Sequence, residues 1–445
     1  MAISDLVTST LSIADSSPSR RDFGTLCIFG DAPYIGARLY TADPSGLAAM
    51  VTDGFSAKDR AYQIAQVVAA QSNGSDQFWV YARAVSHAQT FDLTPTNTTE
   101  DFVYTFDISA WDTAAQTTTA ISYTVAAAAT VASVCTGIHA LVNAVVGVTA
   151  TDDTTHITMT PTTAGTYVFA DNTPRDLQID DEGTDAGIAT DLAAAVIAIE
   201  DAGGDFYGVL LDSLCEAELN AARVWCDANS KILGGHTSDY GVIDSGDSTD
   251  VASDFSGASS HYGAIMFSRA SMSSHVGAAG LSQLFALRPG QGVFANRTLQ
   301  GPTGDKLSPT EKSTARGKKA NVYISSAGIN HTLDGWAGSG RYLDVTRNND
   351  WFQYTCELAV FQALMANEIV PYTDAGLVIL EAALRGVCNL AKRQGVLAEG
   401  WTLDVVAVAD TLAVDRTARV YNGFTINGQI QGAIQTVDFQ IFLKV

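Results

Sequence analysis

From Ala84 to Pro174 the chain runs 91 residues without a single Lys or Arg, and 23 of those residues are Thr. Arg83 and Arg175 bracket the gap. A stretch so unlike its flanks folds as a unit of its own, and its Thr content favours a pleated, half-buried surface over a helix. Alternation inside it predicts strands at Phe102–Ile108, Ile121–Ala126, Val145–Ala150, Thr155–Thr160 and Tyr167–Ala170, around an Ala-rich helix near Thr130–Asn143.

On either side the pattern changes to apolar strands separated by helices. Strands are expected at Thr25–Gly30, Gln77–Ala82, Phe206–Leu211, Lys231–Gly234 and Tyr262–Ser268. Helices are expected at Ser56–Ala70, Glu216–Ala228, Val251–Ala258 and Val276–Ala286. Continuous apolar strands between helices indicate a mostly parallel layer covered on both faces. The expected fold class is therefore α/β (mixed α+β) and multidomain. Residues 1–19 form an N-terminal strand arm, 20–83 and 175–330 the two parts of an α/β domain, 84–174 the inserted β-rich domain, and 331–445 a C-terminal α/β domain with a terminal strand arm. Asp171–Asp205, with ten acidic residues against one Arg, reads as a solvated edge or linker. Arg288–Lys319 holds seven of the 25 cations among Gly and Pro residues and reads as a long loop.

In the last third two helices stand out. Asp350 offers a start for the first, in which Trp351, Tyr354, Leu358, Phe361 and Met365 recur at helical spacing. The second begins at Thr373 or Asp374, carries the stripe Leu377, Leu380, Leu384, Val387 and Cys388, and ends on Gly395. Leu403–Ala409 reads as a strand.

Charge narrows the function classes. The 48 Asp and Glu outnumber the 25 Lys and Arg, giving −23 at pH 7 and a pI near 4.4. Such a polyanion is repelled by nucleic acid and by anionic lipid, and no run of about 18 apolar residues offers a membrane span. Met1–Asp15 contains no Lys or Arg, so no secretory signal is expected there. The six cysteines lie in apolar contexts without zinc spacing and are expected to be buried. No phosphate loop, nucleophile elbow, zinc helix or EF-hand pattern occurs. Gly317-Lys318-Lys319 lacks the upstream glycine and the Ser/Thr of a phosphate loop; His236 with Asp239 is a weak ligand pair. No cofactor and no catalytic residue is expected.

The ends of the chain are the most informative about function. From Phe424 to Ile434 apolar residues and glycines occupy the even positions; after Gln435-Thr436 the phase flips to Val437, Phe439, Ile441, Leu443 and Val445. A one-residue phase change inside a β pattern marks a turn or a bulge. At the other end Ile3, Val7, Leu11 and Ile13 stand out from polar neighbours before a Ser/Pro linker. Both ends are strand-like arms that pair either at home or with a neighbouring copy by β-augmentation.

With these features in view the chain resembles the contractile tail sheath proteins of bacteriophages. The resemblance rests on Gly340-Arg341-Tyr342-Leu343-Asp344-Val345, Asn349-Asp350-Trp351 and Ile369-Val370-Pro371-Tyr372-Thr373-Asp374-Ala375-Gly376. It is similar to the family's strand, its Asp-Trp helix start and its Pro-Tyr-Thr-Asp-x-Gly helix start; Lys319–Tyr323 resembles the strand before them. The resemblance implies a mechanical protein that stacks as six-subunit rings around a tail tube and contracts to drive that tube through a host envelope. It implies subunit-linking arms (Ile3, Val7, Leu11, Val437, Phe439, Ile441, Leu443), an outward Thr-rich insertion and an inward C-terminal assembly domain. Arg385, Lys392 and Arg393 are then the candidates for facing the tube. Partners would be other copies, the tube, the baseplate and the tail terminator, in the virion after assembly in the host cytoplasm. The alternatives are the sheath of a related injection machine or tailocin, and an α/β enzyme with a nucleotide pocket at a strand carboxyl end.

Overall fold

The computed structural model describes residues 23–433 and 435, apart from 58, 73, 85–88, 113–114, 163–167, 172–175 and 186. Both proposed arms, with Ile3, Val7, Leu11, Val437, Phe439, Ile441 and Leu443, lie outside the described residues.

Leu26–Gly30, Gly208–Leu211 and Gly263–Phe267 are buried at every position, because these apolar runs leave no face for solvent. They form the middle of an eight-stranded sheet. Its order is Ile329–Leu333, Asn321–Ser326, Gly263–Phe267, Ile232–Thr237, Gly208–Leu211, Leu26–Gly30, Gln77–Ala82 and Ala37–Thr41. The six inner strands are parallel; an antiparallel strand closes each edge. Consecutive glycines show that both faces are covered. A Cβ on Gly234 would meet Leu281 of helix Val276–Phe285, while one on Gly235 would meet Leu219 of helix Glu216–Asn229.

At the carboxyl ends of three neighbouring strands lies the crevice where open α/β sheets receive ligands. Here it is filled from within. Arg83, directly after Gln77–Ala82, donates to Asp212 at 3.0 Å and to both oxygens of Glu218 at 3.0 and 2.5 Å, all three side chains fully buried.

The Thr-rich stretch, together with Leu177, Ile179 and Leu214 beyond it, forms a hydrophobic core separate from that of the main sheet. Around this core lie a four-stranded sheet (Leu177–Asp181, Phe91–Pro95, Ile157–Pro161, Val148–Asp152), a three-stranded sheet (Ala115–Thr124, Val103–Asp112, Val168–Asp171) and the helix Val131–Val142. Thr130 and Ser133 cap that helix reciprocally. Two segments depart from the loop reading. Asp171–Asp205 contains the strand Leu177–Asp181 and the helix Ile188–Asp201: Ile188, Leu192, Ala195 and Ile199 face the core with the buried Asp191, while Glu182, Asp185, Glu200 and Asp201 are exposed. Arg288–Lys319 contains the helix Pro309–Gly317, closed by the capping box of Ser308 and Glu311. Beyond it Lys318 ends in a cage of carbonyl oxygens from Gly241, Asp244 and Asp247 and the Asp250 carboxylate, at 2.6–3.0 Å. That lysine serves the fold and is no remnant of a phosphate loop.

Candidate assembly interface

The C-terminal part is built on two long helices. The first, Leu343–Met365, begins seven residues before Asp350, and only Tyr342 of the expected Gly340–Val345 strand makes a bridge, to Trp336. Asp350 is a mid-helix core residue. Its carboxylate accepts from the Tyr207 hydroxyl at 2.6 Å and the Tyr262 hydroxyl at 3.0 Å, so the acid that reads as a cap serves as a buried acceptor. One turn away the buried Arg347 donates to the carbonyls of Phe23, Leu284 and Phe285. Leu343 belongs to the main core, whereas Phe352 and Cys356 belong to a C-terminal core. One helix is therefore shared by both.

The second helix, Asp374–Gln394, starts and stops where its sequence says. The Thr373 hydroxyl accepts from the Gly376 amide, and Gly395 caps the end at φ +83°. Gly376 has a steric reason, since a Cβ there would run into the Pro371 carbonyl. Leu377, Leu380, Leu384, Val387 and Cys388 are all buried.

A ribbon follows, Thr402–Val405 paired antiparallel with Phe424–Asn427 and continued by a bridge between Leu397 and Ile430. Each strand has one edge without a partner strand among the described residues. Two strands alone are marginal; these are held by the core formed with the helix pair. Elsewhere in this part of the chain large apolar side chains stand in solvent: Met365, Ile369, Val378, Leu412, Val414 and Val420 are 52–77% exposed. Scattered exposed apolar residues are ordinary, and six of them on one small unit make it the candidate for an interaction surface.

Arg385, Lys392 and Arg393 lie on the exposed side of the second helix. Arg385 donates to Glu381 at 2.7 Å, one turn back, and Lys392 pairs with Glu399 at 2.9 Å, which holds the Glu399 carboxyl below its usual range. Neither the His236–Asp239 reading nor a metal centre takes shape. His236 faces His275 at 3.4 Å, both fully buried, and burial pushes both imidazoles down. No cluster of three or more metal-ligating side chains occurs among the described residues. All six cysteines are free and buried. No described helix is long and apolar enough to cross a membrane.

Residues 343–424, the helix pair and the first strand of the ribbon, match the family model described as the C-terminal domain of E217 tail sheath protein gp31-like proteins. Over these residues the chain is similar to that tail sheath domain. No curated protein matches the chain. Among solved structures, the chain is similar to the sheath of PVC, an extracellular contractile injection system, in its contracted state: 10% identity, 99% of each chain covered, TM-score 0.47. A sheath tail protein from Desulfitobacterium hafniense matches at 10% identity over 94% of this chain and 100% of that one, TM-score 0.46. A chain of the anti-feeding prophage baseplate matches at 14% identity over 59% and 75%, TM-score 0.41.

Proposed function

We propose that the chain is the sheath subunit of a contractile phage tail, polymerising as stacked six-subunit rings around a tail tube and contracting to drive the tube through an envelope. The observation that carries this is the family match over 343–424, on the unit where the open-edged ribbon and the exposed apolar residues are found. The terminal segments are the partners proposed for that ribbon. About five main-chain hydrogen bonds at ~0.5–1.5 kcal/mol each, with three buried aliphatic side chains at ~1.5–3 kcal/mol each, make a firm tether between subunits. In this reading Ile3, Val7 and Leu11 of one copy, and Val437, Phe439, Ile441 and Leu443 of another, supply the apolar faces of the added strands. Arg385, Lys392 and Arg393 point toward the tube, the Thr-rich insertion faces outward, and baseplate and terminator proteins close the two ends of the stack.

Contraction needs two lattice arrangements of one rigid subunit, the extended one trapped kinetically. It needs no nucleotide, and a crevice occupied by Arg83, Asp212 and Glu218 agrees with a role without catalysis. The test is truncation. Removal of 1–15 or of 437–445 gives a folded, soluble chain that forms no tubes in negative-stain electron microscopy; normal tubes from either truncation end the donated-strand reading. Titration of the unassembled protein with ATP or GTP produces no binding heat.

A further inference from the structure

Just before the family-matched domain the chain makes a rigid loop from Asp334 to Tyr342. Buried Asn321 accepts from the amides of Gly335 and Trp336 at 2.8 and 2.7 Å and donates to the Trp336 carbonyl at 2.8 Å. Gly338 and Ser339 donate to the carbonyls of Gly263 and Ser260, and Ala337 donates to Arg341 across the loop. Three residues take left-handed backbone, Asp334 (φ +65°), Gly335 (φ +120°) and Gly340 (φ +80°). This loop presents the half-buried rings of Trp336 and Tyr342, whose centroids are 6.1 Å apart. Lys319 Nζ stands 5.0 Å and the Arg316 guanidinium 5.4 Å from the Trp336 ring, and Arg341 adds a third cation. Only Arg316 of the three has an ion pair among the described residues, to Asp334 at 2.8 Å.

An amphipathic aromatic pair with spare cations on a fixed backbone has the composition of a binding hot spot. Pre-organisation removes most of the ordering cost of using it. Its complement is acidic, and this chain carries a net charge of −23. The densest acidic stretch is 171–205, where Glu182, Asp185 and Asp201 are exposed.

We infer that the Trp336–Tyr342 patch, with Lys319 and Arg341, is a docking surface for the exposed acids Glu182, Asp185 and Asp201 of a second copy of this chain. The contact rests on the reading of the chain as a self-assembling sheath subunit and adds to it a second junction apart from the terminal strands. Opposite charges brought together across the contact steer register between copies that otherwise repel one another.

The test uses the full-length chain, prepared as an equal mixture of light- and heavy-isotope protein and treated with a zero-length carbodiimide, which joins an amine to a carboxylate only in contact. Mixed-isotope peptides linking Lys319 to Glu182, Asp185 or Asp201 are expected. A Lys319 that stays unreacted, or links only within its own copy or to other acids, overturns the proposal. In parallel, Lys319→Glu/Arg341→Glu is expected to fold with an unchanged melting midpoint and to pellet as assembled protein at least tenfold less at low salt. Adding Glu182→Lys/Asp201→Lys restores pelleting. Full assembly of the first variant, or no recovery in the second, also overturns the contact. Parent chains that form no tubes yet give the mixed crosslink contradict the sheath reading and leave this contact standing.

Discussion

Arg347 is among the largest fully buried side chains, and its guanidinium answers three carbonyl groups from two distant parts of the main domain. Replacing it with Met leaves those carbonyls without donors at ~1–3 kcal/mol each. Arg347→Met is therefore expected to lower the midpoint of thermal unfolding by roughly 5–10 °C, read by circular dichroism; an unchanged midpoint contradicts the role given to it. Asp239 gives a prediction in pH. Burial, with the Asp250 and Asp247 charges, pushes its carboxyl up to about 6, while the Gly241 amide pulls the other way. Between the ordinary carboxyl range and pH 6 the folded chain holds this proton more tightly than the unfolded one. The residue's contribution to stability therefore rises as pH falls from 7 toward 4. Asp239→Asn keeps the Asx cap on the Gly241 amide and removes the charge. The variant is expected to melt a few degrees above the parent at pH 7.5, with the gap closing by pH 4. A pH-independent gap means that the carboxyl is ordinary.

At the scale of elements the shared helix is the main finding. Leu343–Met365, 23 residues and about 35 Å long, has its first turn in the main core and its middle in the C-terminal core. A displacement of the C-terminal unit therefore carries the main sheet with it. The second helix depends on its entry turn. Gly376→Ala forces a Cβ against the Pro371 carbonyl and should cost ~1–3 kcal/mol. Backbone amides of 377–384 are then expected to exchange roughly ten- to a hundredfold faster, by mass spectrometry, while those of Leu26–Gly30 keep their protection. The element starts divide instructively. Thr373 and Gly395 are read correctly because a cap is a local contact between neighbours in sequence. Asp350 is misread because its partners, Tyr207 and Tyr262, lie about 140 and 90 positions away. Acid-rich 188–201 hides a helix for a related reason: a narrow buried stripe suffices once there is a sheet to cover.

For the whole molecule the insertion is close to a closed unit. Phe91 and Asp181 are register partners, so its first and last strands begin and end side by side, about 5 Å apart. Excision of 91–181 with a four-residue Gly/Ser bridge is therefore expected to leave the main sheet folded and the chain still able to assemble; collapse of the α/β far-ultraviolet signal would show that the two cores depend on each other. The apolar strands of the sheet were legible in the sequence, because burial on both faces writes itself into neighbouring residues. Tertiary structure alone decided that Arg83 fills the crevice with Asp212 and Glu218, that Lys318 closes a carbonyl cage, that Asp350 is a core acceptor and that Trp336 stands beside Lys319 and Arg316. Each of those depends on groups far apart in the chain meeting at hydrogen-bonding or ring-contact distance, and no local pattern encodes such a meeting.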